Sequence, residues 1–197
     1  TWRYTLFTGL MIGICSMAGF LTLAVELIPK AVLAPIFIFI GLEMIHQAYS
    51  ESPSAHSPAV SISFMPVIAN LSIIILAQFM SAAGVTMEKL PLRLQAMHHS
   101  LMVLSNGFIV TSLLWGSMLA FLIDGRPRQA ALCALFCSFL TIFGIIHSVM
   151  PTGAVYLPWA INSHAHYLMA ASYVILASAF IILKKRIVIV REERRAF

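Results

Sequence analysis

The sequence predicts an all-α integral membrane protein with about six transmembrane helices, and three observations predict it. The 197 residues are 60% hydrophobic and only 10% charged, where soluble domains carry about 25% charged residues, and the mean hydropathy is +0.95. Several apolar runs exceed the roughly 18 residues that cross a hydrocarbon core. Those runs are too long and too uniformly apolar for the alternating strands of a membrane barrel, and lipid offers no partner to backbone amides, so helices are the remaining solution.

The expected spans are residues 6–28, 31–49, 58–80, 101–123, 129–149 and 167–183. They belong to a single transmembrane domain over 1–197, whose last part, 184–197, is a basic tail, and there is no soluble domain. Between the spans lie 50–57, 81–100 and 150–166. Segment 81–100 reads as a short amphipathic helix at the interface, with Leu90, Leu94 and Met97 beside Lys89 and Arg93. Segment 150–166 is rich in Pro and aromatics, and Tyr156, Trp159 and Tyr167 suit the headgroup belt. In the first span Gly9 and Gly13 form GxxxG. In the fourth, Ser112, Gly116 and Ala120 form a small-residue ridge, and both patterns predict close helix packing.

With six spans, both termini lie on one side. That side then holds Arg3, Arg126, Arg128, Lys184, Lys185, Arg186, Arg191, Arg194 and Arg195, against Lys30, Lys89 and Arg93 opposite, nine to three. The bias places both termini in the cytoplasm of a multi-pass inner-membrane protein. The tail "KKRIVIVREERR" reads as a lipid-headgroup anchor rather than a nucleic-acid binder. Thr1 is followed almost at once by the first span without a charged leader or a cleavage site, so no signal peptide is expected.

Chemistry-bearing residues are few. Glu43 lies about 18 Å into a hydrocarbon core of about 30 Å when counted from Ala31. His46 and Gln47 follow at i+3 and i+4, one polar stripe on one side of the helix. A carboxylate at that depth is costly unless it faces protein or water or is protonated. The stripe therefore reads as a proton or ion pathway, a substrate cavity or a structural polar contact. Pro35 in the same span and Pro66 in the next, four residues before Asn70 and with Ser63 on its side, predict kinked helices, the usual construction near midplane transporter sites.

Cys15, Cys133 and Cys137 all fall inside spans, and the last two sit one turn apart as packing residues. The seven histidines, His46, His56, His98, His99, His147, His164 and His166, raise a metal or haem reading. Glu43 and His46 have the spacing of a di-iron pair, but no second such pair exists in the chain. Neither a nucleophile triad nor a phosphate-binding glycine loop nor an HExxH motif is present, so the chain does not read as an enzyme and no cofactor is assigned.

Two stretches carry a family resemblance. "IPKAVLAPIFIFIGLEM" resembles the Ile-Pro-x-x-Val…Gly-x-x-Met segment that opens the second gate-domain block of xanthine/uracil permeases, in the nucleobase–ascorbate transporter family. "HSPAVSISFMPVIANLSI" resembles the Pro-Ala-Phe…Met-Pro…Ser-Ile stretch of that family's adenine/guanine/hypoxanthine permease-like branch. The likeness covers roughly residues 5–80. It implies the C-terminal part of an inverted-repeat transporter, with 1–30 the last core-type helix and 31–183 gate-type helices. It also implies alternating access, a purine, pyrimidine or related small solute, and coupling to H+ or Na+. None of the family's substrate-contacting motifs lies in this chain, so Glu43, His46, Gln47 and Asn70 are expected to line the gate or the permeation path. The family ends soon after the region matched by residues 58–123, whereas this chain adds two further apparent spans, and Glu43 stands where that family carries small or apolar residues.

The partners this reading expects are the bilayer, a small-molecule solute, the N-terminal remainder of the transporter or a partner subunit, and optionally a second copy in a homodimer, with no nucleic acid. The competing readings are a six-helix protein binding metal or haem as a redox anchor, and a non-catalytic membrane scaffold subunit.

Overall fold

A computed structural model describes residues 2–20, 26–27, 29–161 and 163–195. The described residues are helical, with short 3-10 turns and no strand, so the all-α class stands. The chain divides into two compact units, Thr1–Glu51 and Ser52–Phe197.

The first unit holds α1 (Trp2–Met17) and α2 (Lys30–Ser50). Pro29 precedes α2 as its N-cap, and the Glu51 amide closes its last turn on the Gln47 carbonyl. The helix runs unbroken through Pro35. Among the described residues, Gly9 and Gly13 have no atom within 4 Å of where a Cβ would stand.

The second unit contains α3 (Ser57–Ala83), α4 (Leu92–Ser105), α5 (Phe108–Ile123), α6 (Pro127–Ile142) and α7 (Ala165–Arg195). Pro58 lies in the first turn of α3, where its missing N–H is no loss. Gly84 ends that helix in the left-handed conformation, and the Val85 amide reaches back to the Met80 carbonyl. Gly116 brings α5 against α3: a Cβ there would stand 3.4 Å from the Ala59 carbonyl and from Ser63. The small-residue ridge read from the sequence is thus a helix contact.

The most extensive pairing joins α6 to α7. Ala130, Ala131, Ala134, Cys137, Ser138 and Thr141 form the buried face of α6, and α7 answers with Ala170, Tyr173, Ala177 and Phe180 at helical spacing. Small residues let the backbones approach closely where hydrophobicity gives no preference for protein over lipid. The Ser138 hydroxyl donates to the Ala170 carbonyl at 2.9 Å across this seam. Cys137 is packed with Leu140, Ile146 and Tyr173, and Cys133 lies against the neighbouring cluster around Met118 and Ala134, so both cysteines are packing residues.

Three helical stretches are long and apolar enough to cross a membrane, Val32–Ser50, Ser54–Ala83 and Ala165–Ile182, and a fourth results if Leu92–Ser105 and Phe108–Ile123 count as one bent span. The expected six are not all present as such helices. The expected span 129–149 ends as a helix at Ile142, because Gly144 turns left-handed and the Ile145 amide bonds back to Leu140. The helix in the expected span 6–28 ends at Met17, and residues 21–25 and 28 lie outside the described residues. The basic tail continues the backbone of α7 to Arg195.

The prolines are not where the break falls. α3 is continuous through Pro66 as α2 is through Pro35. The expected span 101–123 is the one interrupted, at Asn106 and Gly107, where the chain turns by 74°. Gly107 has φ +73, and a Cβ there would lie 2.4 Å from the Ile145 carbonyl oxygen. Gly107→Ala is therefore expected to cost roughly 2–4 kcal/mol, through left-handed strain plus collision with backbone. Gly125→Ala is the control: it has φ +68 but open space around it, and should cost only about 1 kcal/mol. Thermal unfolding of the two purified variants in detergent checks this, and equal losses would contradict the close approach.

Candidate functional site

The break between α4 and α5 frees peptide groups that a continuous helix would pair. Buried groups of this kind need partners. Met102 is served locally, since its carbonyl accepts the Asn106 amide at 3.0 Å and the Ser105 hydroxyl at 2.8 Å. The Val103 and Asn106 carbonyls are served from elsewhere, and both by His147. Its backbone amide donates to the Asn106 oxygen at 2.9 Å, and its ring Nδ1 lies 3.3 Å from the Val103 oxygen.

His147 belongs to the connection between α6 and α7. Within it Ile146, His147 and Ser148 are wholly buried. Buried non-helical backbone must be tied in, and this one is. The Asn106 side-chain amide donates to the Ser148 carbonyl at 2.7 Å and to the Met150 carbonyl at 3.0 Å. The Ser148 hydroxyl donates to the Ala154 carbonyl, and the Tyr156 amide to the Phe143 carbonyl. His147 itself is left-handed, φ 54, the one described residue other than glycine with a positive φ. That conformation is uncommon for a side-chain-bearing residue and is held by surrounding bonds. It lets one residue present its amide to Asn106 and its ring to Val103.

The ring's other side completes a chain of donors. His147 Nε2 is 2.7 Å from the Tyr173 hydroxyl on α7, and Trp115 Nε1 on α5 donates to the same hydroxyl at 2.7 Å. One proton assignment satisfies all of it. The Val103 carbonyl can only accept, so Nδ1 carries the hydrogen and Nε2 is the acceptor. Tyr173 then receives from Trp115 and donates to His147. The imidazole is neutral and both its nitrogens are engaged, so neither is free for a metal. Beside this chain opens a nearly apolar cavity of about 350 Å³, bounded by Ile62, Leu104, Met118, Met169 and Leu176 together with Trp115, Tyr173 and His147.

At another point of the second unit, His56 Nε2 and Asp124 Oδ1 are 2.8 Å apart. They join the 3-10 turn Ser54–His56 to the C-cap of α5. Both side chains are partly exposed, so the pair contributes at most about 1 kcal/mol.

The residues singled out from sequence are distributed differently. Glu43 and Gln47 do meet, the Gln47 amide donating to the Glu43 carboxylate at 3.2 Å on an exposed face of α2. His46 is exposed on the same helix. Asn70 is half-buried on α3 and belongs to the second unit. Ser63 is satisfied within its own helix by the Val60 carbonyl. His98 and His99 lie on α4, and His166 is fully buried in the first turn of α7 near Tyr156 and Tyr167. No three His, Cys, Asp or Glu side chains gather as a metal-ligand set among the described residues.

Sequence reading passed over Asn106, Trp115 and Tyr173. The Asn106-Gly107 pair was available as a turn signal inside an apolar run, whereas nothing in the sequence pairs Tyr173 with His147.

Removing the shared hydroxyl strands two groups at once. Tyr173→Phe is expected to cost roughly 2–4 kcal/mol, because the Trp115 N–H and His147 Nε2 both lose their partner. Trp115→Phe added to it should cost less than the two single losses combined, with a coupling of about 1 kcal/mol. Additive losses in a double-mutant cycle of unfolding would contradict the chain.

No family model, curated protein or solved structure matches this chain.

Proposed function

We propose that this chain is part of a secondary-active membrane permease for a small solute, with alternating access driven by H+ or Na+. The observation that carries the reading is the interrupted helix at Asn106–Gly107 packed against buried non-helical backbone. Irregular backbone at membrane depth survives only where protein or an aqueous path covers it, and transporters use discontinuous helices to build such places. A passive anchor gains nothing from a 74° turn within an apolar segment.

In this reading the α3–α7 unit is the rigid part, locked by the His147 chain. The polar stripe of α2 serves ion coupling: Glu43 takes up the coupling ion, Gln47 holds its carboxylate, and His46 adds a further polar group; Asn70, on α3, is a separate polar group of the other unit. The substrate class, a purine, pyrimidine or related solute, follows from the sequence resemblance, as do gate-type roles for these helices. Both termini lie in the cytoplasm by the charge bias.

The test is uptake by the native protein in proteoliposomes with an imposed proton or sodium gradient. Glu43→Gln should abolish the acceleration by the gradient and Glu43→Asp should retain it. Gradient-driven uptake that is unchanged in Glu43→Gln would remove Glu43 from the coupling.

A further inference from the structure

We infer that the open face of α4 is a binding site for an anionic phospholipid, its headgroup at Arg93 and one acyl chain along the helix into the Trp115 cavity. A groove of about 520 Å³ is lined by Arg93, Ala96, Met97, Ser100, Leu101 and Leu104. These positions recur at three- and four-residue spacing, so they are one stripe of one helix. The opposite stripe, Met102, Val103 and Ser105, is the buried one.

The groove is graded. Arg93 at its start is exposed and makes no hydrogen bond or ion pair among the described residues. Lys89, exposed on the preceding 3-10 turn, adds a second positive charge against the single acid Glu88. Met97, Leu101 and Leu104 make the rest of the stripe apolar apart from the small Ser100. Leu104 is also a wall of the 350 Å³ cavity, so groove and cavity adjoin at that side chain.

Length selects the occupant. Arg93 to Leu104 spans about 16 Å of helix, close to half of a hydrocarbon core of about 30 Å. That is the depth of one leaflet, and an acyl chain whose phosphate sits at Arg93 ends at the cavity. A cationic mouth over a leaflet-deep apolar groove complements an anionic phospholipid. The inference needs the chain to lie in a bilayer and is independent of whether it transports anything.

The experiment uses the native protein in detergent with Trp2 and Trp159 changed to Phe, which leaves Trp115 as the single tryptophan of three. Phosphatidylglycerol and phosphatidylcholine with identical brominated acyl chains are titrated, and quenching of Trp115 is read. Quenching by phosphatidylglycerol at about fivefold lower lipid fraction is expected. Arg93→Gln together with Lys89→Gln should bring the two lipids level, while Arg93→Lys alone preserves the difference. Equal quenching by both lipids in the parent protein, or a preference that survives the double change, would overturn the site. Absence of quenching by either lipid would also overturn it.

Discussion

Two carbonyl groups set the terms for the larger unit of this protein. Where α4 stops at Ser105, the carbonyls of buried Val103 and half-buried Asn106 are left without helical partners. A single residue from a distant connection, His147, meets both, one through its amide and one through its ring. An unmet buried carbonyl costs about 1–3 kcal/mol, so the position of His147 is strongly specified. Its left-handed backbone, the absence of a side chain at Gly107 and the two bonds from the Asn106 amide all serve that docking.

Much else depends on it. To bring His147 to the break, α6 must end early, and Gly144 ends it. To keep the imidazole in the tautomer that donates to Val103, Nε2 must face a donor, and Tyr173 supplies one. Tyr173 sits on the α7 stripe that packs against the small face of α6, so the helix pairing and the polar chain fix one another. The apolar cavity and the groove on α4 lie at the edges of this arrangement, where α4, cut short and turned, no longer fills the space beside α5.

The class and the helix-rich architecture were legible because they follow from composition and run length. The contact at Gly116 and the packing role of Cys133 and Cys137 were legible because small residues at helical spacing have few other uses. The location of the break was not. Pro35 and Pro66 lie in helices that run on through them: a proline removes one hydrogen bond, and a long helix can absorb that loss. Asn106-Gly107 carries a weaker conventional signal inside a run as apolar as "LMVLSNGFIVTSLLW", but it supplies what a break needs, a left-handed residue without a side chain and an amide that ties another loop. His147 stood in the sequence only as one of seven histidines, because its partners, Val103 and Tyr173, lie 44 and 26 residues away. Of the α2 stripe, periodicity rightly brought Gln47 to Glu43.

The functional reading rests on a rigid unit with an interrupted helix. Rigid backbone with one discontinuity suits alternating access when that discontinuity is sealed. Hydrogen exchange of the native protein in detergent, resolved to residues 145–148, tests that seal most directly. The account predicts that these amides, His147 foremost, exchange as slowly as those of the α6–α7 helix pair, since their release requires opening the core. Exchange as fast as that of a surface connection would show that His147 does not close the break, and the central claim would fall.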